Sequence, residues 1–259
     1  MSKNEKEVRL GETNYNKQKC LMKIVEYNSN RDIIIEFQDE YKEKIHTNYE
    51  CFKSGSVKNP YYPSIFRVGI LGTKYPSRRN KVISKEYRMW YDMLKRCYDS
   101  KYKKERPTYQ NVICCNEWLN YENFYEWVHS QENFDRWLNG DYAIDKDILV
   151  KGNKIYSPET CCLVPHNVNN LFVKCDGNRG DLPIGVTYNK QHKKYSVKYS
   201  LNHHIVNLGY YDTPEEAFEI YKKHKENIIK QVARIEYDKD NIIEKCYQAM
   251  INYTVEIDD

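Results

Sequence analysis

Short runs of alternating apolar and polar residues fill the first part of the chain, from about Val8 to Gly72. Leu21 to Tyr27 and Asp32 to Phe37 are rich in Ile and Val, and Asn28-Ser29-Asn30 between them has turn composition. The alternation predicts a small β-barrel or curled sheet over residues 1–72, with Phe52, Gly55 and Asn59-Pro60 punctuating its end. Residues 73–83 lose the period, are polar and basic, contain Pro76, and read as a linker that could lie along a phosphate backbone.

The period changes at Ser84. Tyr87, Trp90, Tyr91, Leu94 and Tyr98 recur at three- and four-residue spacing, which predicts an amphipathic helix capped by Ser84 with Arg88, Lys95 and Arg96 on its other face. A second helix is expected from Tyr121 to His129, turning Phe124, Trp127 and Val128 inward. Tyr142 to Asn170 then holds two short strands around a Gly152-Asn153 turn and a helix beginning near Pro165, so that residues 84–178 form a helical region ending in a ββα core.

Residues 179–259 form the last unit. Three strands, Gly185 to Asn189, Lys194 to Ser200 and Ile205 to Tyr210, precede a helix with Thr213 as cap, Pro214 at its first position and Glu216 at its third. Ala217, Phe218, Ile220 and Tyr221 are expected to face the sheet. In the middle strand, period two puts Tyr195, Val197 and Tyr199 on that covered face and leaves Lys194, Ser196, Lys198 and Ser200 on an open one. The chain therefore reads as an α+β protein with an N-terminal small β-barrel-like domain, a central helical region with a ββα core, and a C-terminal three-stranded antiparallel sheet plus helix.

Charge sharpens this picture by its placement, because the net value is only +4. Arg78 to Arg106 carries eleven Lys or Arg against four acids. Leu182 to Tyr211 carries four Lys and three His and no acid. Both stretches suit a polyanion, and the acid-free one suits it better. Charged residues make up 30% of the 259 and aromatic ones 14%, including 25 tyrosines, which excludes a disordered chain. The nine cysteines include the adjacent pairs Cys114-Cys115 and Cys161-Cys162 but no CxxC, so zinc is not expected. With no long apolar run and no signal-peptide pattern, a membrane partner is not expected and a reducing cytoplasm is.

Ile144-Asp145-Lys146-Asp147, Ser157-Pro158-Glu159-Thr160 and Val164-Pro-His-Asn-Val-Asn-Asn170 resemble the HNH (His-Me finger) endonucleases of phages. The resemblance implies a metal-dependent homing-type DNA endonuclease of a phage or mobile element, working in a bacterial host cytoplasm with one Mg²⁺ or Mn²⁺. Asp145 falls on the family's metal-binding acid, and Pro158-Glu159-Thr160 on its Pro-Glu-Asn turn. Asn169 or Asn170 falls on the helical metal ligand. Lys146 stands where the family has its general-base histidine. A lysine at its ordinary pKa cannot accept a proton from water, which leaves Asp147 and His166 as alternative bases and Lys146 as a cation for the transition state.

Leu182-Pro-Ile-Gly-Val186 and Leu208-Gly-Tyr-Tyr-Asp-Thr-Pro-Glu-Glu-Ala217 resemble the AP/ERF DNA-binding domain over about fifty residues. That resemblance implies a sheet laid in the major groove of double-stranded DNA, with Thr187, Asn189, Lys190, Lys193, Lys194, Lys198, Ser200 and Asn207 as candidate contacts. Two rival expectations stand beside the nuclease. One is a DNA-binding protein that keeps the ββα scaffold without its chemistry. The other is a phage protein that binds a host protein through its N-terminal domain.

Overall fold

The computed structural model describes residues 8–173, 181–201 and 204–257, without the side chains at 200, 201, 204 and 205. The fold is α+β with several small sheets, and it divides into two compact units. Unit 1 comprises Met1–Gln110 and Asn116–Glu126, and unit 2 comprises Asn111–Cys115 and Trp127–Asp259.

Unit 1 opens with an antiparallel meander, β1 (Thr13–Tyr15), β2 (Leu21–Ser29), β3 (Asp32–Phe37) and β4 (Lys44–Thr47), in the order β1-β2-β3-β4. The expected barrel does not form. Its edges, β1 and β4, are three and four residues long and do not pair with each other. The buried face consists of Met22, Ile24 and Tyr27 beside Ile33, Ile35 and Phe37. A bulge between Ile24 and Glu26 lets Tyr27, three residues on from Ile24, return to that face. Phe52 covers it from α1 (Tyr49–Lys53), whose cap Asn48 accepts from the Cys51 N–H at 2.8 Å. The β2–β3 turn falls on Asn30-Arg31, because Ser29 pairs with Asp32.

Part of the expected linker is structured. β5 (Arg78–Arg79) pairs with β6 (Val82–Ile83), and Ser84 then caps α2 (Lys85–Tyr98) by accepting from the Tyr87 N–H at 3.2 Å. The buried stripe of α2 is Glu86, Trp90, Met93, Leu94 and Cys97. It is rotated from the expected one, for Tyr91 is 38% exposed. A tyrosine satisfies either environment, so it fixes the helix phase poorly. The Trp90 indole donates to the Trp118 carbonyl at 2.7 Å and packs on Tyr121 at 5.4 Å between centroids.

After α3 (Ser100–Glu105) and β7 (Ile113–Cys114), helix α4 (Tyr121–His129) carries the boundary between the units. Phe124 and Val128 are fully buried, and Trp127 is half-buried.

In unit 2, α5 (Phe134–Asn139) leads into β8 (Tyr142–Asp145), β9 (Ile155–Tyr156), β10 (Cys162–Pro165) and α6 (His166–Asn170). The two strands flanking Gly152-Asn153 do not pair with each other. β8 pairs antiparallel with β10, whereas β9 runs parallel to β7. Then β11 (Val186–Asn189), β12 (Lys194–Leu201) and β13 (His204–Tyr211) form an antiparallel sheet. It is covered by α7 (Pro214–Asp238), with α8 (Glu244–Ile251) following. Thr213 caps α7 by accepting from the Glu216 N–H at 3.2 Å. Ala217, Phe218 and Tyr221 are buried, but Ile220 lies beside that stripe and is 37% exposed.

One apolar cluster ties much of this unit together. It joins Cys162, Val164 and Val168 of the β8–α6 segment to Val186, Val197 and Tyr199 of the sheet and to Phe218 and Ile229 of α7.

Candidate functional site

Two places carry the expected functional side chains, a carboxylate loop after β8 and the open face of the β11–β13 sheet. At the loop, Asp145 closes β8 opposite Cys162 and turns its carboxylate back on the chain. Oδ1 accepts from the Asp147 and Ile148 N–H groups, both at 2.7 Å. Burial pushes the Asp145 carboxyl above its ordinary pKa, against the lowering effect of those two backbone bonds.

Lys146 is only 6% exposed. Its ammonium donates to the Asn153 carbonyl at 2.9 Å and pairs with Asp147 Oδ2 at 2.5 Å. The Asn153 amide returns to the Lys146 and Ile155 carbonyls at 2.8 and 2.6 Å. The loop is thus knotted around its own polar groups. The following turn is closed in the same way, Ser157 and Thr160 hydroxyls meeting at 3.0 Å and Thr160 donating to the Ile155 carbonyl at 2.8 Å.

The remaining expected site residues are not drawn to Asp145. Pro165 pairs with Tyr142, three residues along β8 from Asp145, a separation of about 10 Å. His166 follows at that far end, where its Nε2 lies 3.4 Å from Asp141 Oδ1. Helix α6 lies against β8 and β10, with Val168 buried, Asn169 half-buried and Asn170 exposed. Among the described residues, no hydrogen bond joins Asn169 or Asn170 to Asp145.

Those donors do not fit a divalent cation. Mg²⁺ and Mn²⁺ favour several oxygen ligands. Here Oδ1 of Asp145 already accepts from two amides, and Oδ2 of Asp147 is paired with the Lys146 ammonium. No group of three His, Cys, Asp or Glu among the described residues could hold a metal ion.

The sheet face is built differently. Register pairs Asn189 with Lys194, Thr187 with Ser196, Ser196 with Tyr210, and Lys198 with Asn207, so these residues share one face. Val197 and Tyr199 point into the core on the other. A bulge sets Leu208 aside between Asn207 and Gly209, and the Asn207 side chain accepts from the Gly209 N–H at 3.2 Å.

Each candidate contact now has a place. Lys198 is exposed in the middle strand with no ion pair among the described residues. Lys190 and Lys193 are exposed in the β11–β12 turn, where Asn189 Oδ1 accepts from the Gln191 and His192 N–H groups at 3.0 Å each. Lys194 is paired with Asp212 at 3.0 Å. Thr187 and Asn207 are exposed, and the Ser200 side chain lies outside the described residues.

Ser196, expected on the open face, is only 2% exposed and shares a 2.9 Å contact with the Thr187 hydroxyl. The sequence reading missed Tyr210, which stands exposed on this face with its ring 4.6 Å from that of His192. Strict period two would set Tyr210 and Asn207 on opposite faces, and only the bulge at Leu208 brings both to the open one.

Comparison with protein-family models, with curated proteins and with solved structures returns no match.

Proposed function

We propose that this chain is a duplex-DNA-binding protein that docks the open face of its C-terminal sheet in the major groove and does not cleave the strand. The observation that carries this reading is the run from Leu182 to Tyr211, which holds no acid and exposes Lys190, Lys193 and Lys198. Phosphate contacts by such lysines supply affinity, while Thr187, Asn207 and Tyr210 lie on the same side to meet base edges and sugars.

In this reading the segment from β8 to α6 is a bracket. Its Cys162, Val164 and Val168 sit in the same core as the sheet's Val197 and Tyr199, so it holds the sheet's covered face in place. Its polar groups are largely engaged locally, Lys146 by Asp147 and Asn153, and Oδ1 of Asp145 by two amides. That arrangement supports a scaffold more than a hydrolytic centre.

A supercoiled plasmid incubated with the protein in Mg²⁺ or Mn²⁺ tests both halves. Retardation without nicking is expected. Nicking lost in Asp145→Ala would restore the metal-dependent endonuclease, and absence of retardation at moderate salt would remove DNA as the partner.

A further inference from the structure

We infer that the β5–β6 hairpin of unit 1 is a second phosphate-gripping element, separate from the C-terminal sheet. The inference rests on the DNA-binding reading. Arg78 pairs with Ile83 and Arg79 with Val82, leaving Asn80-Lys81 as a two-residue turn with φ of 50° and 66°. Two consecutive left-handed residues make the turn type whose twist matches a β-ribbon. Below it the Ser84 N–H donates to the Ser77 carbonyl at 3.0 Å and closes the base. A ribbon two strands wide can enter a DNA groove or lie along its edge.

The charges on this ribbon are sorted. Arg79 is spent on the fold, since its guanidinium reaches Glu86 Oε1 at 3.3 Å and the Tyr125 hydroxyl at 3.0 Å. Glu86 is thereby buried and neutralised. Lys81 is exposed in the turn and Arg78 is exposed at the base of the ribbon, neither with an ion pair among the described residues. The acids nearest in sequence are accounted for: Glu86 belongs to Arg79, and Asp92 lies two turns along α2. Val82 beside the turn is 69% exposed, so the turn is open to solvent. Two exposed cations on a braced ribbon, without an ion pair among the described residues, are what a polyanion attracts.

The test is the salt dependence of binding to a labelled random-sequence duplex, followed by fluorescence anisotropy. Arg78→Gln with Lys81→Asn removes both charges, and Asn tolerates the left-handed turn position. The slope of log affinity against log salt should become shallower by about 0.9 per lost contact, about 1.8 in all. Arg78→Lys, which keeps the charge, should leave the slope at the native value. Either neutralising substitution alone should give about half the effect, which keeps the question answerable if the double variant does not fold. A native slope in folded neutralised variants would overturn the hairpin's role. A native protein that fails to bind the duplex would instead remove the DNA-binding reading beneath it.

Discussion

Replacing Gly185 by alanine probes the joint between the sheet and its covering helix. Gly185 precedes β11 with φ of 77°, and a Cβ there would meet Tyr221 Cδ2 at 2.1 Å and Cε2 at 2.3 Å. Tyr221 is buried in the core, so the ring can move away only by disturbing its packed neighbours. Gly152 provides the control, because it has nearly the same backbone, φ 74°, and nothing within 4 Å of its Cβ. Left-handed alanine costs about 1–2 kcal/mol, partly offset by the lower chain entropy of the unfolded state, so Gly152→Ala should lose about 1 kcal/mol. Gly185→Ala carries that same cost plus overpacking of about 1–3 kcal/mol. Urea unfolding followed by circular dichroism separates them, with midpoints apart by the order of 1 M. Duplex affinity should fall in Gly185→Ala and hold in Gly152→Ala. Equal midpoints for the two variants would refute the packing of Tyr221 on this turn.

Three further outcomes are expected. The raised Asp145 pKa means that the fold holds this proton more tightly than the unfolded chain does, so its contribution is greatest below the ordinary value of 3.8 and is lost as pH rises through the folded value. Asp145→Asn keeps an oxygen for the Asp147 and Ile148 N–H groups without the charge, and should be at least as stable as the native protein at neutral pH, with a flatter stability profile in mild acid; a clear loss at neutral pH in urea titrations contradicts this. Asn133 donates to the Leu163 and Asn241 carbonyls, both at 3.0 Å, so Asn133→Ala should cost about 2–4 kcal/mol in urea unfolding, and a loss under 1 kcal/mol would show that water replaces it. Asp212→Asn frees Lys194 from a pair that at an exposed site is worth about 0.2–1 kcal/mol, so duplex affinity should rise severalfold at low salt, and unchanged affinity would place Lys194 outside the interface.

Much of this could be read from the chain because the deciding signals are local. Ser84 and Thr213 cap their helices as their positions predict, and Tyr195, Val197 and Tyr199 turn inward by simple alternation. The misreadings arise where distant segments decide. Cys162 to Pro165, and not the strand just after Gly152-Asn153, completes the pair with β8, because Ile155–Tyr156 is taken by Ile113–Cys114 from far upstream. Lys194 meets Asp212 only through the β12–β13 register, which a one-residue bulge shifts. The phase of α2 differs from the expected one because tyrosines at 87, 91 and 98 suit either side of a helix, whereas Met93 and Cys97 favour the core. For Lys146, residue type left its role open, and the Asn153 carbonyl and Asp147 carboxylate that hold it come from the loop's conformation.

Salt-dependent binding of the native protein and of Lys198→Ala to one duplex tests the central claim most directly. Lys198 is exposed in the middle of the open face, makes no ion pair among the described residues and supports no turn, so its removal should leave unfolding unchanged. The native protein should bind with a steep salt slope, and Lys198→Ala should lower affinity and make that slope shallower by about 0.9. Identical slopes and affinities for the two proteins would contradict docking through this sheet.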